Sequence, residues 1–455
     1  MHPPSPSVTT VETPILRPNS PSVASSSTAL DLDEILEQRL QSLSSAMAAA
    51  GSIAVLLVDT SPLVEIESRF GIRAFRDTVG NVQRIVQKVA GDYLKQQDRI
   101  VPLNDQRDQI IVMFFRSRME QNFYRNALPR IATQLREEIL KRSTQIAYPY
   151  LRPAPMLGVG YGIAPYNASV RADKSLQTAV EQARHEADAA TRQARLKEER
   201  ELIHLIVAEE INSVFEPLVE IRTGSLLGYE ALSRGPKGTS WESPAKLFRI
   251  AEGIDLLFEL DCLCRRSALR NVAGKMPEGA ALFLNCLPSA IRDPSFSGPQ
   301  LARTLDVCGL DPQHVVLEIS EQESIENQAT FLEAIDFYRN LGIRIALDDV
   351  GSGYASMAAV LDIKPDVIKI DMTLIRSVDQ DAARQELVNT LNHLARKIDA
   401  VVIAEGIETR EEFETLQRIG IPYGQGYLFG RPCDIDHVAG PEEVRRIVFP
   451  ESPKP

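Results

Sequence analysis

Residues 343–356 read IRIALDDVGSGYAS. An apolar run of strand character ends in two adjacent carboxylates, Asp348 and Asp349, and two glycines follow, Gly351 and Gly353. A phosphate-cradling dinucleotide loop, a metal site or an acidic turn could each use such a junction. The stretch GSGYAS approximates G-x-G-x-x-G/A with Asp371 downstream, but its last position is Ser356, and two carboxylates ahead of the first glycine would repel an uncompensated pyrophosphate. A tight turn accounts for the glycines and leaves Asp348 beside Asp349 unexplained.

The same texture recurs along the C-terminal half. Eight short apolar runs end in polar or acidic residues: SVFEPLVEI (213–221), LLGYEAL (226–232), ALFLNCLP (281–288), VVLEIS (315–320), IRIALDD (343–349), VIKID (367–371), AVVIAEG (400–406) and YGQGYLFG (423–430). Helical patterns lie between most of them, at 244–272, 325–340, 380–398 and 410–419. Their number and span predict an α/β fold, a TIM-like (β/α)₈ barrel over residues 211–445.

Chemistry on such a barrel sits at the C-terminal ends of the strands. Those ends carry Glu230, Asn285, Glu318 with Glu321 just beyond, Asp348 and Asp349, Lys369 and Asp371, Glu405, and Gln425. One Asp after a strand is an ordinary turn or cap residue. An acid or amide near the end of seven of the eight runs points to convergence on one mouth. Carboxylates at that density repel strongly at low dielectric, and hard divalent cations relieve the repulsion. Oxygen ligands with an amide, and no thiolate or imidazole, suit Mg²⁺ or Mn²⁺ better than Zn²⁺.

Ahead of the barrel, residues 1–28 are rich in Ser, Pro and Thr and are expected to be a disordered tail. Helical spacing at 30–50, 73–94 and 121–142 alternates with strand-like runs at 51–60, 108–115 and 155–165, which predicts one small α/β or α+β domain over residues 30–174. Residues 175–210 lack Gly and Pro, are dense in strong helix formers, and predict one linking helix. Residues 446–455 are expected to be a flexible tail. The 455-residue chain carries a net charge of −12, which argues against DNA binding or a general affinity for anionic membranes. Five scattered cysteines, mostly inside apolar patterns, read as buried free thiols. No apolar run reaches membrane-spanning length and the N-terminus shows no signal-peptide pattern, so a cytoplasmic location without membrane insertion is expected.

Several segments in one order carry a resemblance. YEALSR (229–234), LNCLP (284–288), LEISE (317–321), DDVGSGYAS (348–356), IKID (368–371), AEGIET (404–409) and GQGYLFGRP (424–432) resemble the EAL family of cyclic di-GMP phosphodiesterases. That resemblance implies hydrolysis of cyclic di-GMP to the linear dinucleotide 5′-pGpG by a two-metal mechanism with Mg²⁺ or Mn²⁺. It places Glu230, Asn285, Glu318 and Asp348 on one ion and Asp348, Asp349 and Glu405 on the second. Lys369 would orient the attacking water, Gln425 would assist near the metal shell, and Glu321 would position the loop after Asp349. Leu232 and Arg234 would meet the substrate, Arg234 at a phosphate oxygen. A homodimer is also implied.

Three positions depart from the family pattern. Glu216 stands where Gln usually precedes the proline, Val350 replaces Phe, and Ala355 replaces Ser. They keep an alternative open, a cyclic di-GMP receptor of weak or no activity that acts through protein partners. The stretch IAVLLVDTSPLVEIESRFG (53–71) resembles the start of a GGDEF domain, with Asp59 at its metal position. The region where the signature loop should stand, RIVPLNDQRDQIIVMF (99–114), lacks the paired glycines, and the R-x-x-D motif reads Lys95-Gln96-Gln97-Asp98. The resemblance is therefore to a degenerate, inactive GGDEF domain with a regulatory role, open to a nucleotide or protein partner.

Overall fold

The computed structural model describes residues 32–102, 108–151, 155–293, 296, 298–320, 328–351 and 357–449. The expected disordered tail at 1–28, Glu321 and Ala355 lie outside the described residues. Two units divide the chain, Met1–Thr191 and Arg192–Pro455, with the boundary inside one helix, Ala172–Val207.

The first unit is built on a four-stranded antiparallel sheet. Strands β1 (Ser52–Asp59), β2 (Arg99–Pro102), β3 (Gln109–Phe115) and β4 (Val159–Pro165) stand in the order β2-β3-β1-β4. The central strand β1 is apolar from Ile53 to Val58 because both its faces are covered. Ala54, Leu56 and Val58 pack with Val82, Leu128 and Leu135 from helices Val64–Ala90 and Leu128–Lys141. Ile53, Val55 and Leu57 pack on the other side with Met47, Ala179 and Ala183. The helix expected at 73–94 starts earlier, at Val64, and a non-helical Gly71 (φ 86°, ψ 166°) interrupts it.

The second unit is a closed eight-stranded barrel in the order β10-β11-β12-β5-β6-β7-β8-β9. Its strands are β5 (Asn212–Glu220), β6 (Leu226–Arg234), β7 (Ala281–Asn285), β8 (Val315–Ser320), β9 (Arg344–Val350), β10 (Val367–Ile370), β11 (Val401–Ala404) and β12 (Tyr423–Gln425). Each apolar run thus supplies one strand, and the fold is TIM-like. One strand differs: β5 runs antiparallel to both neighbours. Residues 221–225 are too few for the crossover that a parallel pair needs, so they close a hairpin. Gly224 makes the turn at φ +69° and donates its N–H to the Glu220 carbonyl at 2.8 Å.

Alternation along the strands sorts the side chains. Leu218, Phe283, Val316, Ala346, Val367 and Ile403 fill the barrel interior. Their neighbours Leu282, Leu317, Ile345, Ile368 and Val402 face outward, in the cluster that holds Leu269, Ile335, Val388 and Leu416 of the surrounding helices. The end of the chain also differs from expectation. Residues 446–448 complete the helix Pro441–Val448, whose Val444 and Val448 are buried. All five cysteines are free thiols; four are buried and Cys433 is half-buried.

Candidate functional site

Two residues above each interior apolar residue stands a polar one. Phe283 is followed by Asn285, Val316 by Glu318, Ala346 by Asp348, Val367 by Lys369 and Ile403 by Glu405. Strand periodicity therefore lifts these side chains to one layer at the barrel mouth, joined by Glu230 from β6 and Gln425 from β12.

Lys369 lies at the centre, 1% exposed. Its Nζ is 2.6 Å from Glu405 Oε1, 2.7 Å from Glu318 Oε1, 3.3 Å from Asp348 Oδ1 and 3.4 Å from Glu230 Oε2. Asn285 Nδ2 donates to Glu230 Oε1 at 2.9 Å. Gln425 Nε2 donates to Glu230 Oε2 at 2.6 Å and to Glu216 Oε2 at 3.1 Å. Carboxylate oxygens of Asp348, Asp349 and Glu405 lie within 4.8 Å of one another.

In a regular strand, Asp348 and Asp349 would point to opposite faces. Strand β9 breaks that alternation. Leu347 pairs with Ile368 and Val350 with Ile370, so Asp348 and Asp349 together oppose Lys369 in a bulge. Asp349 takes the left-handed backbone conformation at φ +57°, which a short polar side chain tolerates. Gly351 follows at φ +101°, and a Cβ there would stand 2.3 Å from Leu374 Cδ1. That glycine is required by close packing and backbone shape.

The electrostatics follow from burial among like charges. Burial alone would push Lys369 down, but Asp348, Glu230, Glu318 and Glu405 hold its ammonium well above the usual range. Burial pushes Glu318 and Glu405 far up, against the pull of Lys369. Glu230 is lowered, because Lys369 and the amides of Gln425 and Asn285 outweigh its burial. Burial, then Asp348 and Asp371, raise Asp349 to about 6. Glu216 rises to about 7 by burial, with Glu230 adding and the Gln425 hydrogen bond opposing.

The donor set fits divalent cations. One ammonium cannot balance Glu216, Glu230, Glu318, Asp348, Asp349, Asp371 and Glu405. Among the described residues, no donor reaches the buried Glu318 Oε2 or Gln425 Oε1. Buried acceptors without a donor are costly, and a hard cation relieves them.

A cavity of about 260 Å³ opens over this layer, lined by Glu216, Glu230, Asp349, Asp371, Glu405 and Gln425. Met372, Arg376, Glu408 and Tyr427 form its outer part. Leu232 and Arg234 continue the inner face of β6 beyond Glu230, half-exposed and outside that lining. Sequence reasoning placed Glu216 only as a departure from a pattern, and it missed Arg376 and Tyr427. Asp371 was visible as a strand-end acid; nothing in the spacing marks the rim residues.

The EAL domain family model matches residues 199–432, more than half of the chain. The probable cyclic di-GMP phosphodiesterase PdeG of Escherichia coli K12 is 32% identical over 228 residues, which cover 49% of this chain and 45% of that protein. The uncharacterized protein y4lL of Sinorhizobium fredii is 25% identical over 417 residues, 89% of this chain and 49% of that protein. The chain thus spans about half or less of the curated relatives it matches first. A standalone versatile EAL protein from Vibrio cholerae O395, crystallised with c-di-GMP bound, is similar at 28% identity and a TM-score of 0.44, over 50% of this chain and 93% of that one. With a single family model spanning the barrel and its eight-strand mouth, this chain belongs to the EAL domain family.

Proposed function

We propose that the barrel hydrolyses cyclic di-GMP to linear 5′-pGpG with two divalent cations, Mg²⁺ or Mn²⁺. The observation that carries this reading is the convergence of Glu230, Asn285, Glu318, Asp348, Asp349, Lys369 and Glu405 in one layer at the barrel mouth. The similarity of the barrel region to PdeG, a probable cyclic di-GMP phosphodiesterase, supports the same class of reaction.

When bound, the cations supply charge compensation and Lewis acidity at the scissile phosphodiester. Glu230, Asn285, Glu318 and Asp348 would hold one of them, and Asp348, Asp349 and Glu405 the other. The chain's own groups do the rest. Lys369 stays protonated among its carboxylates, so it donates and does not act as a base. Its ammonium orients a water toward phosphorus and opposes the charge that grows on the phosphoryl oxygens. The water oxygen bonds to phosphorus, the P–O3′ bond breaks, and the 3′ oxygen leaves as a hydroxyl with a proton from the water. Gln425 keeps Glu230 in place through its Nε2. Leu232 and Arg234 would meet the substrate from the end of β6, and Glu321 would hold the loop that follows Asp349.

The reading extends to residues 30–174 as an inactive GGDEF-like regulatory domain and to a homodimer. Supporting the first part, Asp59 ends the central strand β1, and its carboxylate accepts from the Ser61 N–H at 3.0 Å. The test is direct: purified chain, cyclic di-GMP, and Mn²⁺ or Mg²⁺, with 5′-pGpG as the readout. Tight binding of cyclic di-GMP without turnover would overturn the enzymatic reading and favour a receptor. Formation of cyclic di-GMP from GTP would overturn the inactive GGDEF-like assignment.

A further inference from the structure

We propose that Glu216 is a positioning residue that fixes the side-chain amide of Gln425 so that its Oε1 faces a bound divalent cation or that cation's water. This rests on reading the mouth as a divalent-cation site.

Glu216 and Glu230 face each other across the antiparallel pair β5–β6. Both are buried, and the Gln425 amide nitrogen donates to both, at 3.1 Å and 2.6 Å. Two amide hydrogens meet two carboxylates, so the NH₂ group is fully used. With Glu216 and Glu230 both ionised, as beside a bound cation, turning the amide over would set its oxygen against two carboxylate oxygens, with no hydrogen between them. The Oε1 atom therefore has one orientation, away from Glu216 and Glu230.

In that orientation Oε1 is buried and finds no donor among the described residues, although Gln425 is only 4% exposed. An oxygen so enclosed accepts only something of the size of an ion or a water, not a nucleobase edge. The Gln425 amide nitrogen meets Glu230, at a mouth where, among the described residues, acids far outnumber the one ammonium, Lys369. A cation, directly or through its water, is the partner that the surroundings call for.

A glutamine at 216 would carry both a donor and an acceptor. Only Glu230 would then oppose a flipped Gln425 amide, so the direction of Oε1 would be held by one carboxylate instead of two. The carboxylate at 216 therefore trades extra negative charge for a second hold on the amide orientation.

The test is a double-mutant cycle on the full chain, read by calorimetric titration with Mn²⁺ alone. Glu216→Gln is expected to weaken Mn²⁺ binding about tenfold, within the range for residues that orient a metal site's ligands. Glu216→Ala should do the same if the Gln variant folds poorly. In a Gln425→Ala background, the same change at 216 should have no further effect. Unchanged Mn²⁺ affinity in Glu216→Gln would overturn the proposal. A tenfold loss that persists in the Gln425→Ala background would also overturn it, because Glu216 would then act directly through its charge. A wild type that binds no Mn²⁺ would sink both this proposal and the cation site. Absence of turnover with the expected binding pattern would leave the proposal standing and count only against the phosphodiesterase reading.

Discussion

Asp348 and Asp349 share one place in the barrel ladder: the two together oppose Lys369 on β10. The bulge turns a pair that would point apart into a pair whose oxygens meet Glu405. Backbone shape and charge can be separated at Asp349, which holds φ +57°. Asp349→Asn keeps a residue type suited to that conformation and removes the charge. At neutral pH with a chelator present the variant should be at least as stable as wild type, because the amide removes the cost of a buried carboxylate raised to about 6, while turnover falls a hundredfold or more. Asp349→Val should lose turnover and, in addition, about 1–2 kcal/mol of stability from the left-handed backbone. Denaturant unfolding and 5′-pGpG formation measure the two effects. An Asn variant with full turnover would remove Asp349 from the site.

Lys369 holds the metal-free mouth together. Its ammonium touches Glu230, Glu318, Asp348 and Glu405 while almost fully buried. Lys369→Met keeps the chain's length and leaves the acids without a counter-charge. Removing one partner from a buried ionic cluster costs about 3–5 kcal/mol. That loss should appear in urea unfolding with a chelator present, shrink on acidification as the acids take up protons, and shrink again when Mn²⁺ is added. Equal stability of the variant and wild type at neutral pH would refute the central role.

Much of this was legible in the sequence. Eight apolar runs became eight strands, because buried barrel strands need continuous apolar stretches bounded by turns. Asn285, Glu318, Asp348, Lys369 and Glu405 were found because each stands at the C-terminal end of a parallel strand. Glu216 escaped that rule, since β5 is reversed and presents its middle at the mouth, opposite Glu230. The gap of four residues between the first two runs carried the hairpin signal in advance. Arg376 and Tyr427 belong to segments after the strands, and their place at the rim depends on tertiary packing that no local pattern encodes.

Glu216 also sets a pH dependence in the metal-free protein. Its carboxyl rises from 4.5 to about 7 on folding, by burial above all. Between those values the folded chain keeps a proton that the unfolded chain has lost. Stability therefore falls as pH rises through this window, and the penalty is complete above about 7. Glu216→Gln removes the penalty. With a chelator present, the variant should gain on the order of 2 kcal/mol over wild type on the alkaline side of the window and nothing below it. Chemical unfolding at a series of pH values measures the difference. A gain of the same size at every pH would show that titration at 216 is not its source.

Asp98 has a structural role that its place in the R-x-x-D-like segment conceals. Its carboxylate accepts from Arg116 Nη1 at 2.8 Å and Nη2 at 2.7 Å, and from the backbone N–H groups of Lys95 at 2.7 Å and Phe115 at 2.9 Å. Arg116 is buried over the rings of Phe114 and Phe123. A carboxylate engaged by two guanidinium nitrogens and two backbone donors has little left to offer a nucleotide. Asp98→Asn should leave the buried guanidinium without its charge partner, at a cost of about 3 kcal/mol. Amide hydrogen exchange along β3, which ends at Phe115, should speed up by about two orders of magnitude. The stoichiometry of cyclic di-GMP binding should stay as in wild type. Loss of a bound cyclic di-GMP with β3 exchange unchanged would identify Asp98 as a ligand contact and overturn the structural assignment.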